Sequence, residues 1–366
     1  MGRFLAATAA SMVLLGLSVG MPAAAIAAAP DLAALRVPSG TKIEVWVDGV
    51  ANARSMARSS RGTVFVGTRT GGGRVYAVRT RADGSREVLT IASGLNTPNG
   101  VAYRKGALYV AEIDRILRYD DIDNRLQSPP SPVIVTTLPA ERHHGWRYMA
   151  FGPDDKLYVA IGAPCNVCDR DKENYATIVR MNADGSGREV VARGVRNSVG
   201  FTWHPRTREF WFTDNGRDML GDDVPPCELN RLSKPGEHFG FPFCHGKDVR
   251  DPEFGALGRC DAIRTPVQSL GAHVAPLGVL FDRNGDAIIA EHGSWNRSEK
   301  SGYRLTRVRM QGSRAVAYEE FVGGWLTPEG KVIGRPVDLL SLPDGSMLVS
   351  DDMAGVIYRI SFNRGA

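Results

Sequence analysis

Met149-Ala150-Phe151-Gly152-Pro153-Asp154-Asp155-Lys156-Leu157-Tyr158-Val159 is an apolar alternating run, a polar turn with Gly and Asp, then a short β-rich run. That order reads as strand, tight turn, strand. The same phrase returns at residues 61–66, 101–110, 201–212, 279–289 and 339–349, making six copies with the first. Five copies are followed by a further β-like segment ending near a basic residue, at 74–78, 115–119, 178–181, 305–308 and 356–360; Glu228-Leu229-Asn230-Arg231-Leu232 fills that slot in the fourth copy. A repeat of this kind governs the fold. Spread over residues 30–366 it gives about 56 residues per unit, slightly above common propeller repeats and enough for four strands with long loops. The expectation is therefore an all-β chain, a single six-bladed β-propeller of four-stranded antiparallel blades, with the loops of one face building a site over the central channel. A β-sandwich would not need six copies of one hairpin phrase.

Composition agrees with this reading. Of 366 residues, 43% are hydrophobic and 23% charged, which excludes an intrinsically disordered chain, a collagen-like fibre and a polytopic membrane protein. Forty-one glycines and 21 prolines leave little room for long uninterrupted helices. Residues 1–29 stand apart: Arg3 precedes an apolar run from Phe4 to Met21, then Pro22 and the small-residue tract Ala23–Ala29. This reads as a secretory signal peptide, with a retained membrane anchor as the competing reading. No later stretch approaches the ~18 apolar residues a span needs. The expected location is exported, periplasmic or extracellular, with no integral span after cleavage. Without the segment 44 basic residues face 40 acidic ones, a net charge of +4. So mild an excess is no sign of nucleic-acid binding and is compatible with a small anionic ligand.

The sequence contains no G-x-S-x-G elbow, H-E-x-x-H, P-loop or dinucleotide fingerprint after a strand, so common hydrolase and nucleotide chemistries lose support. The longest inserts, at about 160–175, 214–275 and 291–303, are where function is expected. Three polar clusters border the repeats. Glu141-Arg142-His143-His144-Gly145-Trp146-Arg147 could supply a general base, because imidazole titrates near neutrality, or could be a structural loop. In Gly194-Val195-Arg196-Asn197-Ser198 the arginine could clamp a carboxylate and the asparagine bond a carbonyl. Thr213-Asp214-Asn215-Gly216-Arg217-Asp218, followed by Asp222, Asp223 and Glu228, is either an oxygen-rich loop suited to calcium or an acidic solvated turn.

Five cysteines in an exported chain predict disulfides with one thiol left over. Cys244 and Cys260 bracket a Gly- and Asp-rich loop and are expected to bridge. Cys165-x-x-Cys168 is read as a loop staple rather than a redox or half-zinc motif, which leaves Cys227 unpaired.

Taken together, the clusters resemble the soluble pyrroloquinoline quinone (PQQ)-dependent sugar dehydrogenases, a family of six-bladed propellers that includes aldose and sorbosone dehydrogenases and the PQQ domain of fungal pyranose dehydrogenases. The likeness spans nearly all of residues 40–362. It is carried by His143-x-x-x-Arg147 before Phe151-Gly152-Pro153-Asp154, Arg196-Asn197, Asp214-Asn215-Gly216 with Glu228-Leu229-Asn230, Phe239-Gly240-Phe241-Pro242, His273-Val274-Ala275-Pro276-Leu277-Gly278, and Arg335-Pro336-Val337-Asp338. His144-Gly145-Trp146-Arg147, Cys165-Asn166-Val167-Cys168 and Glu291-His292-Gly293-Ser294-Trp295-Asn296 look most like the sorbosone-type subgroup. The resemblance implies a PQQ- and Ca²⁺-dependent oxidation of a sugar, polyol or aldehyde hydrate, with electrons passed to an external acceptor. His143 would be the base, with His144 as the second candidate. Arg196, Asn197 and Arg335 would bind the cofactor, Trp295 and Asn296 would line cofactor or substrate, and the carbonyls of Gly216 and Arg217 would hold the calcium. One departure stands out: the family's Arg-x-Arg-Asp reads Arg335-Pro336-Val337-Asp338 here, so the second arginine is a valine. Two other functions remain open. A calcium-dependent lactonase on the same fold is suggested by Thr97-Pro98-Asn99-Gly100-Val101, and a non-catalytic binding propeller by the missing arginine.

Overall fold

In the first blade, strands Ala53–Arg58, Val64–Thr68, Val75–Thr80 and Arg86–Ala92 run antiparallel, each paired with the next. The computed structural model describes Gly2 and residues 31–363; the expected signal peptide lies outside the described residues apart from Gly2. The second blade uses Gly100–Arg104, Ala107–Ala111, Arg115–Tyr119 and Val133–Thr137. The third uses Met149–Phe151, Leu157–Ile161, Thr177–Met181 and Glu189–Arg193. The fourth uses Phe201–Trp203, Phe210–Asp214, Pro226–Leu232 and Gln268–Ala272, and the fifth Pro276–Phe281, Ala287–Glu291, Arg304–Gln311 and Arg314–Val322. The sixth combines Pro336–Ser341, Met347–Asp351 and Val356–Phe362 with Thr41–Val47 from the other end of the chain, Thr41 facing Phe362 and Val45 facing Tyr358. The all-β six-bladed propeller expected from the repeat is the fold, and among the described residues the only helices are short 3₁₀ turns.

The repeated phrase is the inner hairpin of each blade. Where it reads Arg104-Lys105-Gly106-Ala107, Arg104 faces Ala107 and both turn residues have positive φ, 46° and 85°. Such a two-residue turn matches the twist of the flanking strands and favours glycine. The second strand of every blade is buried along its whole length. Both of its faces are covered, one by each neighbouring blade, which is why these strands read as unbroken apolar runs. Between the fifth and sixth blades, for example, Leu280, Ile288, Leu305, Trp325, Leu339, Val349 and Tyr358 form one apolar cluster.

Two features depart from the simple repeat. The third blade carries a fifth, parallel strand, Glu237–His238, beside Glu189–Arg193. Residues 233–267 leave the fourth blade and return, held by the hairpin of Cys244–His245 with Val249–Arg250 and by the Cys244–Cys260 disulfide, Cα atoms 5.7 Å apart. Cys165 and Cys168 are also bonded, and Cys227 is a buried free thiol. Closing a loop over a sequence separation of 16 restricts the unfolded chain, so Cys244→Ser with Cys260→Ser should lower stability by about 3 kcal/mol. Urea titration would measure the loss, and peptide mapping without reduction should recover the cross-linked pair.

Candidate functional site

In an antiparallel blade the start of the first strand and the end of the second lie on the same face, so six blades bring twelve such positions around the channel mouth. Residues entering the first strands are Arg54, His144, Asn197, Ala275 and Arg335; those leaving the second strands are Arg69, Asn215, Gly216, His292 and Gly293. All ten line one cavity of about 420 Å³. Arg54, Arg69, Arg196 and Arg335 line it against one lining carboxylate, Asp218. A second carboxylate, Asp352, accepts from Arg54 Nη1 and His292 Nε2, each at 2.9 Å.

The two candidate bases differ in how they are held. His143 is exposed and makes no hydrogen bond to a described residue, although its ring lies 4.1 Å from that of His144. His144 is buried with φ +50°, and its Nδ1 lies 2.9 Å from the carbonyl of Ala163. A carbonyl only accepts, so Nδ1 carries the proton and Nε2 keeps its lone pair. Burial, and then the nearby Arg196 guanidinium, hold the His144 imidazole well below its usual pKa, which keeps it neutral. Arg147, the fixed point of the sequence motif, is buried outside the cavity. It donates to the carbonyls of Pro139 (2.6 Å), Ile113 (3.0 Å) and His144 (3.4 Å), which locks the loop that presents His144.

Arg196 is the hub of the site. Nε donates to Asn166 O (2.8 Å), Nη1 to Asn215 O (3.1 Å) and Gly216 O (2.8 Å), and Nη2 to Asn166 Oδ1 (2.8 Å) and Asp218 Oδ2 (3.1 Å). All five N–H donors are occupied within the protein, so as arranged the side chain cannot also bind cofactor oxygens, the role the resemblance implied. Asp218 also lies 3.5 Å from His273 Nδ1, and that contact raises the His273 pKa. Asn197 is better placed for a ligand. Its backbone N–H donates to Asp214 (2.7 Å), while its side-chain amide faces the cavity with no protein hydrogen bond among the described residues. Arg335 donates Nε to His292 O and Nη2 to Gly293 O, each at 3.1 Å, which leaves other donors free.

Of the remaining expected residues, Trp295 stands at the mouth, 70% exposed, whereas Asn296 is not among the lining residues. Gly216 lines the cavity, but a guanidinium already occupies its carbonyl. Arg217 is not a lining residue, and its side chain pairs with Asp251 and Glu253 on the excursion. As arranged, these residues offer calcium no free carbonyl pair. Among the described residues no group of three or more His, Cys, Asp or Glu side chains could hold a metal either, so the side-chain calcium site that the lactonase reading needs finds no support. An aromatic polycarboxylate fits better: the cavity has an excess of guanidinium groups, a free amide, and the indoles of Trp146 and Trp295. Sequence reasoning missed Arg54, Arg69 and Asp352, of which Arg69 and Asp352 each immediately follow a second strand.

Comparison with known proteins bears on this geometry. The sequence model of the glucose/sorbosone dehydrogenase family matches residues 112–359. A Borreliella burgdorferi protein described as uncharacterized is 34% identical over 362 residues, covering 93% of this chain and 94% of that one. The holo pyranose dehydrogenase PQQ domain of Coprinopsis cinerea is similar in fold, with a TM-score of 0.77 at 18% identity over 89% of this chain and 97% of that one. The calcium structure of the Trichoderma reesei AA12 carbohydrate-active enzyme has a TM-score of 0.75 at 20% identity, over 90% and 97%.

Proposed function

Since the chain belongs to the glucose/sorbosone dehydrogenase family, we propose that it is an exported quinoprotein. It oxidises a sugar, polyol or aldehyde hydrate in the cavity at the channel mouth and passes the electrons to an external acceptor. The observation that carries this reading is a neutral histidine with one fixed tautomer opening onto a cavity rich in guanidinium groups. When bound, PQQ supplies a quinone carbonyl able to accept a hydride.

The protein's own groups do the rest. His144 Nε2 takes the hydroxyl proton from the substrate as its C–H bond breaks, and Nδ1–H to Ala163 keeps the ring oriented while it becomes cationic. Arg147 fixes the loop from behind. Arg335 and the Asn197 amide offer donors to cofactor oxygens, and the exposed indole of Trp295 gives an apolar face on which a sugar ring can stack. The base is thus His144 rather than His143, whose spacing to Arg147 had favoured it. Calcium has no step here, because Gly216 could ligate it only after Arg196 withdrew.

Export is supported by the apolar N-terminal segment and by the two disulfides, which persist in oxidising compartments. Titration of purified protein with PQQ, with and without Ca²⁺, tests the reading. A saturable change in quinone absorption followed by turnover of an aldose panel with an artificial acceptor is expected. Absence of binding under both conditions would remove it, and binding without turnover would favour a non-catalytic propeller.

A further inference from the structure

We propose that Arg69 is the second cation for the anionic edge of the ligand, taking over from the first blade the carboxylate contact that Val337 does not provide. This rests on the quinoprotein reading for the identity of the ligand and on geometry for the subsite itself.

Three observations carry it. First, Val337 is buried in an apolar cluster with Val199 and Leu277, and Trp146 packs against that cluster. Position 337 therefore serves the indole and presents no charge. Second, that indole carries the Arg69 guanidinium 3.9 Å from its ring centroid, at the edge of the same cavity. A cation over an aromatic face is fixed in position, with its N–H groups still directed outward in their own plane. Third, Arg69 makes no hydrogen bond or ion pair with any described residue. By contrast Arg196 has every donor occupied, Arg54 donates to Asn99 Oδ1 and Asp352 (2.9 Å each), and Arg335 donates to two carbonyls.

Contact with an indole explains where Arg69 sits but not why a third guanidinium stands beside two others. Burial, then the proximity of Arg54 and Arg335, act against its charge and bring its pKa down to about 10, with Asp352 opposing them. It remains protonated at neutral pH. A partly buried cation under like-charge pressure, with free donors, is poised for an anion. A planar carboxylate accepting two parallel N–H bonds is the ligand group that matches the guanidinium fork.

The test titrates wild type, Arg69→Gln and Arg69→Lys with PQQ and, separately, with benzene-1,2,4-tricarboxylate, reading tryptophan fluorescence and Tm. Losing one charge-assisted contact should weaken both ligands about 10- to 100-fold in Arg69→Gln, with a smaller loss in Arg69→Lys. Because Arg69 is bonded to no other group, the Tm of ligand-free Arg69→Gln should not fall, which separates a ligand contact from a structural role. Unchanged affinity for both ligands in Arg69→Gln would overturn the proposal, as would a fall in Tm matched by an equal loss in Arg69→Lys. Arg69-dependent binding of the tricarboxylate without binding of PQQ would keep the subsite and remove the quinoprotein reading. Wild type that binds neither ligand would remove both.

Discussion

With His144 replaced by asparagine, sugar oxidation should fall by ~10²–10⁴ in turnover while quinone affinity changes little. Asparagine can still donate to the Ala163 carbonyl, so the loop keeps its anchor, but the amide offers no basic lone pair where Nε2 stood. A group that acts mainly in the transition state is removed without loss of ground-state binding, so the effect should appear in kcat. His143→Asn should cost much less, roughly tenfold at most, because that ring is exposed and held by no hydrogen bond among the described residues. The pH dependence separates the two further. The His144 pKa is held well below its ordinary value by burial and then by Arg196, so the neutral form persists as pH falls through 6.5, and the rate should drop only well below that point. The same shift has a stability consequence. Below pH 6.5 the unfolded chain binds a proton that the folded His144 does not, so stability should decline as pH falls through 6.5, and less so in His144→Asn. Steady-state rates and Tm across pH 4–8 for wild type and both variants would measure this. Normal turnover in His144→Asn with a large loss in His143→Asn would move the base back by one residue.

That one-residue ambiguity marks the limit of what the sequence could say. The inner hairpins were legible because their second strands are covered on both faces and spell unbroken apolar runs such as Leu157–Ile161 and Ala287–Glu291. The third strands were legible for the same reason. The outer strands were not: Val133–Thr137 and Arg314–Val322 are largely exposed, so no burial pattern marks them. The closing strand Thr41–Val47 pairs with residues 357–362 across nearly the whole chain, a contact that no local pattern encodes. At the site, the clusters at 143–147, 196–197, 214–218 and 335 did converge on one cavity, apart from Arg147 and Arg217. Arg69 belongs to no motif. Only its position, directly after a second strand as Asn215 and His292 are, could have singled it out. Whether an arginine's donors are free is likewise not a property of sequence, and here that reverses the roles of Arg69 and Arg196.

Arg196→Ala should therefore behave as a structural lesion as much as a loss of ligand contact. Its guanidinium ties the 165–168 disulfide loop, through Asn166, to the loop after the fourth blade's second strand, through Asn215, Gly216 and Asp218. Truncation leaves a carboxylate and three carbonyl groups without their donor in a site that excludes much of the solvent. Breaking a buried ion pair from one side costs about 3–5 kcal/mol. In a chain of this size that should lower Tm by roughly 5–10 °C. Quinone binding should fail as well, because the loops presenting Asn197, Gly216 and His273 lose their common anchor. Arg196→Lys should rescue only part of either effect, since an ammonium cannot span five acceptors set around a planar fork. A direct ligand to the cofactor would give another pattern: affinity lost, ligand-free Tm unchanged, and partial recovery of binding by lysine. Thermal unfolding of the ligand-free variants beside quinone titration distinguishes the two, and an unchanged Tm in Arg196→Ala would show that Arg196 leaves its protein partners to bind the ligand.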